Sequence, residues 1–257
     1  MPMLLSPRPG SRAHRAVAGL LTGLAGLIVV GCAAAVLGRS VVPGLAASGL
    51  DAEVTAFLVD NRRPWLTAVS RAASAMADLQ VVALLVLALG VAGGLRARRW
   101  NLLWVPAVAG GGALVISAVV KLVTARARPP LSAAIVDAYG LAFPSGHALR
   151  AVAVFGALAF VAAAATKRPA ARVLPWGCAG ALVAAVGFAR VYLGAHWVTD
   201  VLAGYALGAA WLALVLVATG TAVRVRPSPQ PPAPVRDLDA LGDAGRPRRR
   251  VGRARER

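Results

Sequence analysis

Charge-free apolar runs separated by short polar stretches set the pattern of the chain. The runs cover roughly 16–38, 79–95, 102–122, 148–165, 173–189 and 199–219, each near the ~17–25 residues that carry a helix across a bilayer. A helix satisfies its own backbone hydrogen bonds in lipid, and no stretch shows the long apolar–polar alternation that a membrane barrel needs. The pattern therefore predicts an all-α polytopic membrane protein with about six transmembrane helices. Between 39 and 78 the pattern breaks: Asp51, Glu53, Asp60, Arg62 and Arg63 are interspersed with apolar residues, which suits a long loop with helical pieces lying in the membrane interface. The third predicted span carries Gly110, Gly111 and Gly112, small residues that let neighbouring helices approach closely.

Composition sharpens this picture. Of 257 residues, 58% are apolar, and the formal net charge is +18. So large a positive charge suggests nucleic acid until its distribution is considered. The basic residues gather at the N-terminus (Arg8, Arg12, Arg15), at Arg96, Arg98 and Arg99, at Lys167, Arg168 and Arg172, and in an arginine-rich C-terminal stretch. With six spans these segments share one face, which the positive-inside rule makes cytoplasmic. A cell-membrane protein with both termini in the cytoplasm is expected, and a nucleic-acid partner is not. Three parts follow: a basic arm over 1–15, a membrane domain over 16–222, and an Arg/Pro-rich tail over 223–257 whose composition predicts disorder. The tail is either simply solvated or held against anionic lipid.

Smaller features add little chemistry. Trp65, Trp100, Trp104, Trp176 and Trp197 lie near predicted span ends, as interfacial tryptophans do, whereas Trp211 is deep in the last span. The two cysteines, Cys32 and Cys178, fall in apolar runs and support neither a disulfide framework nor a zinc site; both read as packing residues. A competing reading of Val29-Val30-Gly31-Cys32 is a lipoprotein signal, opposed by the apolar residues that continue to Leu37.

Three polar clusters stand at the margins of the predicted spans, all on the face opposite the basic one. Lys121 ends the third span and is followed by a basic connection to Arg128, Pro129 and Pro130. Alone, Lys121 reads as a snorkelling anchor and Arg128 as a loop charge. The connection continues to Phe143-Pro144-Ser145-Gly146-His147, where the fourth span starts. Ser145 could serve as a helix N-cap, but the free N–H groups and dipole of the same helix end also form a natural phosphate site. The third cluster, Arg190, His196 and Asp200, follows the fifth span. His196 and Asp200 are four apart and share a face if a helix runs there. An arginine near an apolar run costs on the order of 2.5–3.5 kcal/mol unless it pairs or snorkels, so Arg190 marks a function.

Taken together, the clusters resemble the three-part signature of the type 2 phosphatidic acid phosphatase family, the membrane branch of the lipid phosphatase and vanadium haloperoxidase superfamily. That signature reads K-x6-R-P, P-S-G-H and S-R-x5-H-x3-D. Lys121 and Arg128 match the first part, Pro144 to His147 the second, and Arg190, His196 and Asp200 the third; Ala189 stands where the family has serine. The resemblance implies a phosphatase with His196 as nucleophile, His147 as general acid and Asp200 orienting His196. Lys121, Arg128, Ser145, Gly146 and Arg190 would hold the phosphate.

The chemistry is consistent with that implication. Phosphoryl transfer asks mainly for positioning and charge stabilisation, which three cations supply, the arginines in a planar fork suited to phosphate oxygens. One histidine must attack while neutral and the other must give a proton to the leaving oxygen. No cofactor or metal is implied, because the chain has ten acids in all and only Asp137 and Asp200 lie in the motif region. The loss of a neutral donor at Ala189 is worth about 0.5–1.5 kcal/mol if the family serine bonds the phosphate directly. Expected substrates are lipid phosphates: phosphatidic acid, phosphatidylglycerol phosphate or a polyprenyl pyrophosphate such as the carrier recycled in cell-wall synthesis, with a slight lean to the last. The rival readings are a vanadate-dependent haloperoxidase, which the six spans oppose, and a non-catalytic lipid-phosphate binder or transporter, which Ala189 favours.

Overall fold

The computed structural model describes residues 49–97, 104–130 and 132–224, with Gly26, Gly31, Ser40 and Pro43. Its helices are α1 (Leu50–Asp60), α2 (Pro64–Ala75), α3 (Leu79–Ala97), α4 (Trp104–Thr124), α5 (Gly146–Ala165), α6 (Val173–Tyr192) and α7 (Val198–Arg224), with a 3-10 turn at Pro169–Arg172 before α6. Among the described residues there is no strand, and the protein is all-helical as the apolar pattern predicts. Contacts divide the chain into Met1–Thr221 and Ala222–Arg257, and the second unit is described only at the last turn of α7.

Four described helical segments are long and apolar enough to cross a membrane: Trp104–Thr124, Gly146–Ala165, Pro169–Tyr192 and Val198–Thr219. They match four predicted spans to within a few residues. The predicted span at 79–95 forms α3 but passes that test only together with α2, as a pair bent by 59°. The first predicted span, 16–38, lies outside the described residues apart from Gly26 and Gly31. The described part of the presumed loop at 39–78 is two helices and a tight turn. Pro64 starts α2 after Arg63 in extended backbone, where a proline loses no helical hydrogen bond.

Helix α5 is the centre of the bundle. Some 61% of its apolar window is buried, against 17–33% for the other candidate spans. Helices α4 and α6 pack against it, and α2 packs against α6. Val105, Ala109, Ala113, Ile116 and Val120 of α4 meet Leu149, Ala153 and Ala157 of α5 and Trp211, Leu212 and Val215 of α7 in one core cluster. The glycine-rich stretch of α4 is a packing feature: a Cβ at Gly112 would stand 2.2 Å from the Trp211 ring. Trp211 is buried because its ring fills that notch, and its indole N–H donates to Ala109 O at 3.0 Å.

The outside of the bundle is apolar. Leu84, Leu87, Leu122, Val173, Leu174 and Val217 are all more than 60% exposed, an arrangement that water would penalise and hydrocarbon does not. Cys178, which reads as a packing residue in an apolar run, is also exposed and sits on α6 at the surface of the bundle.

Two glycines bring the N-terminal end of α5 against α7. A Cβ at Gly204 would lie 2.7 Å from Ser145 O and 2.9 Å from Ala148 Cβ, and one at Gly208 would lie 2.7 Å from Leu149 O. Only hydrogen at these positions allows so close a backbone approach. Gly204→Ala is expected to lower stability by about 1–3 kcal/mol through overpacking and to reduce activity, because Ser145 moves with the displaced backbone. Gly111→Ala, which meets open space, should leave both unchanged; thermal unfolding in detergent and an activity assay check the pair.

Candidate active site

The three sequence clusters come together at one end of the bundle. Helix α4 ends at Thr124, and the connection that follows carries Arg128 toward the turn between α6 and α7. Gly194 makes that turn, with a φ of 72° that favours glycine. His196 and Asp200, on either side of the start of α7, are almost completely buried. His196 Nδ1 lies 3.3 Å from Asp200 Oδ2, which also accepts from Trp197 N–H at 3.0 Å.

The tautomer of His196 follows from its partners. Arg128 Nη1 stands 3.1 Å from His196 Nε2, and a guanidinium has only donors. Nε2 is therefore the acceptor, the proton is on Nδ1, and Nδ1–H donates to Asp200. Arg128 is held in turn by Ala195 O, Tyr139 O and Gly140 O. Burial pushes the His196 imidazole well below its ordinary pKa of 6.5, and the positive charges of Arg128, Arg190 and Lys121, with His147, push it further. His196 is accordingly neutral at pH 7. Burial likewise lowers the Arg128 guanidinium, and Asp200 opposes that shift.

The other expected residues surround this pair. Lys121, in the last turn of α4, donates to Leu141 O. Arg190 ends α6 and donates from Nη1 to Ser74 Oγ at 2.8 Å. Ser145 occupies the N-cap position of α5, yet its hydroxyl makes no cap bond, so the simple capping explanation fails. Its N–H donates instead to Asp200 O at 2.9 Å, tying the second cluster to the third. Gly146 opens α5, and a Cβ there would stand 3.0 Å from Ser117 Oγ. Two polar atoms of this group, Ser145 Oγ and Arg190 Nε, are buried without a hydrogen-bond partner, an expensive state for groups that no anion uses.

The second histidine has a partner that the sequence did not reveal. His147 Nε2 lies 2.8 Å from Asp78 Oδ1, at the bend between α2 and α3. The same bend supplies Ala77 O to Arg150 Nε at 2.8 Å, as well as Ser74 to Arg190. Asp78 bounds the stretch whose mixed pattern suits a loop, and its distance of 69 residues from His147 leaves no spacing to detect. Asp51 and Arg126 were missed as well: Arg126 bonds Asp200 Oδ1 and Asp51 Oδ2, both at 2.6 Å. Ala189, where the resembled family has serine, is fully buried with Tyr192 and Leu193 in an apolar cluster that includes Leu58, Leu66 and Ala73. Its methyl group suits those neighbours.

Comparison with known proteins agrees with the geometry. A model of the PAP2 superfamily matches residues 100–224. Phosphatidylglycerophosphatase B of Bacillus subtilis (strain 168) is 30% identical over 171 residues, which cover 66% of this chain and 83% of the relative. The crystal structure of a transmembrane PAP2-type phosphatidylglycerolphosphate phosphatase from Bacillus subtilis aligns with a TM-score of 0.65 at 25% identity, covering 78% of this chain and 96% of the other.

The depressed pKa of His196 has a consequence for stability. Below pH 6.5 the unfolded imidazole binds a proton that the folded one refuses, so stability is lost as pH falls through that value, by up to about 1.4 kcal/mol per pH unit for one group. Melting temperature in detergent should drop between pH 6.5 and 5, and His196→Gln should make that drop shallower; an unchanged slope would show that His196 is not held neutral.

Proposed function

The chain belongs to the PAP2 superfamily and is a membrane lipid phosphatase, and from that premise we propose that it hydrolyses the terminal phosphate of a phosphatidylglycerol phosphate through a phosphohistidine intermediate. The reading rests above all on His196, whose Nε2 carries a lone pair while Nδ1–H donates to a buried carboxylate. Nε2 attacks phosphorus in line with the leaving oxygen, and Asp200 stabilises the imidazole as it becomes positive, the part an aspartate plays in a serine hydrolase triad. His147, entering as the imidazolium, gives its Nδ1 proton to the leaving lipid oxygen. Asp78 holds the Nε2 side of its ring, which leaves Nδ1 to face the substrate. Water then attacks the phosphohistidine, with His147 taking up its proton, and inorganic phosphate departs.

Arg190, Arg128, Lys121, Ser145 and the N–H groups that open α5 receive the phosphoryl oxygens as charge develops on them. The unpartnered Ser145 Oγ and Arg190 Nε support this assignment, since a bound phosphate would give buried polar atoms of this kind a partner. No step asks for a metal ion. The substrate is favoured by the Bacillus subtilis matches, whose names specify phosphatidylglycerol phosphate. A site at the end of a bundle with an apolar exterior suits a substrate whose tails stay in the bilayer while its headgroup is in the interface. By the distribution of basic residues that end of the bundle is extracytoplasmic.

Phosphate release by detergent-purified protein from phosphatidylglycerol phosphate, phosphatidic acid and a polyprenyl pyrophosphate tests the reading. Phosphatidylglycerol phosphate should give the highest kcat/KM, with full activity in excess chelator. His196→Ala should lower kcat by roughly 10⁴-fold or more and His147→Ala by about 10²–10⁴-fold. Alkali-quenched His147→Ala should retain labelled phosphate on His196 when the leaving group needs no proton, because a phosphohistidine survives base and not acid. Release from wild type no faster than from His196→Ala on every substrate would end the enzymatic assignment, and a faster polyprenyl pyrophosphate reaction would move the substrate.

A further inference from the structure

The arginine two residues before Arg128 does something different from its neighbour. Arg126 Nη1 donates to Asp200 Oδ1 and to Thr199 Oγ1, each at 2.6 Å, and Nη2 donates to Asp51 Oδ2 at 2.6 Å. Its guanidinium also lies 5.9 Å from the centre of the Trp197 ring. Both terminal nitrogens are thus engaged within the protein, whereas Arg190 keeps a buried nitrogen free. A guanidinium clamped between two carboxylates has no face to offer a phosphate.

Asp51 completes the clamp from α1. Besides Arg126 it accepts from Thr199 N–H at 3.0 Å and Thr199 Oγ1 at 2.6 Å. Thr199 is in the first turn of α7, where N–H groups have no partner within the helix. Asp51 therefore caps α7 from another helix, and its negative charge suits the positive end of the α7 dipole. Asp51, Arg126 and Asp200 are all nearly inaccessible, at 5%, 11% and 0% side-chain exposure, so these bonds compete with little water.

The consequence bears on the proposed nucleophile. Asp200 has two oxygens with separate duties: Oδ2 receives His196 Nδ1–H and Trp197 N–H, while Oδ1 receives Arg126. Without Arg126 a fully buried carboxylate oxygen would lose its charged partner, and the carboxylate could rotate away from the imidazole. We infer that Arg126, aligned by Asp51, is a positioning residue that locks the rotamer of Asp200 and through it the tautomer and direction of His196. This rests on the role given to Asp200 above. The network joins α1, the connection after α4 and the start of α7, so the nucleophile is aimed by a segment 145 residues before it, from Asp51 to His196.

The test uses the full-length protein, measuring kcat, KM and melting temperature in wild-type and Asp200→Asn backgrounds. Arg126→Gln should lower kcat roughly 10–100-fold, as loss of a partner that orients a reactive histidine does, with KM within about threefold. In the Asp200→Asn background the same substitution should cost less than about twofold, because the residue through which it acts is already disabled. Arg126→Lys keeps the charge but not the fork that bridges two carboxylates, and should recover part of kcat. Asp51→Asn should show a smaller loss that likewise vanishes in Asp200→Asn. A rise in KM with unchanged kcat would overturn the inference in favour of phosphate binding, and an undiminished loss in the Asp200→Asn background would overturn it in favour of a purely structural role. If Arg126→Gln yields no folded protein, Arg126→Lys and Asp51→Asn in the two backgrounds decide by the same criterion. An Asp200→Asn enzyme as fast as wild type would bring down the mechanism and this inference together; a slow Asp200→Asn beside fast Arg126→Lys and Asp51→Asn would remove the inference alone.

Discussion

A carboxylate with no exposure to solvent, at the head of an apolar helix, is the constraint to which the rest of this site answers. Burying an ionised group without partners is prohibitively costly, and Asp200 is surrounded accordingly: Arg126 on one oxygen, His196 Nδ1 and Trp197 N–H on the other, and its backbone carbonyl receiving Ser145 N–H. Each bond brings in a different piece of chain. The connection after α4, the turn into α7 and the start of α5 are all anchored to one residue. Gly204 and Gly208 then permit the backbone approach between α5 and α7 that this anchoring requires.

Around that anchor the cations are arranged in two classes. Arg126 has both terminal nitrogens on protein acceptors, Asp200, Asp51 and Thr199. Arg190 is only partly satisfied, with Ser74 on Nη1 and nothing on Nε. On the proposed function, this division separates a charge that holds the fold from one left for a substrate anion. It also gives the positive cluster a function on His196, whose imidazole it helps keep neutral. A neutral histidine beside three cations is what the proposed phosphoryl transfer to His196 asks for, and the cations that disfavour its protonation are the ones that would attract the phosphate.

The bend between α2 and α3 has a comparable part. Within Ser74 to Asp78 it provides acceptors to Arg190, Arg150 and His147. A straight span would have carried these groups along one continuous helix face; the 59° break turns backbone carbonyl, hydroxyl and carboxylate toward the same site. The apolar exterior below it leaves the polar chemistry confined to one end of the bundle.

The sequence alone determined the helical class, four of the spans to within a few residues, and the residues of the three clusters. Those features are local: a bilayer demands runs of a set length, and each cluster is a short spacing such as His196 with Asp200, four residues apart, although the helix starts only at Val198. The family resemblance supplied expected roles for Lys121, Arg128, Ser145, Gly146, His147, Arg190, His196 and Asp200. Only the tertiary structure decided which partners those residues take. Asp51, Asp78 and Arg126 carried no readable signal, because their bonds reach Thr199, His147 and Asp200 across 148, 69 and 74 residues and no periodicity survives such a separation. The bent pair was hidden for a related reason: α2 carries exposed Trp65 and Arg71 contacts on one side and buried Ser70 and Ser74 on the other. A mixed face of that kind reads as a loop until the helix it leans on is known.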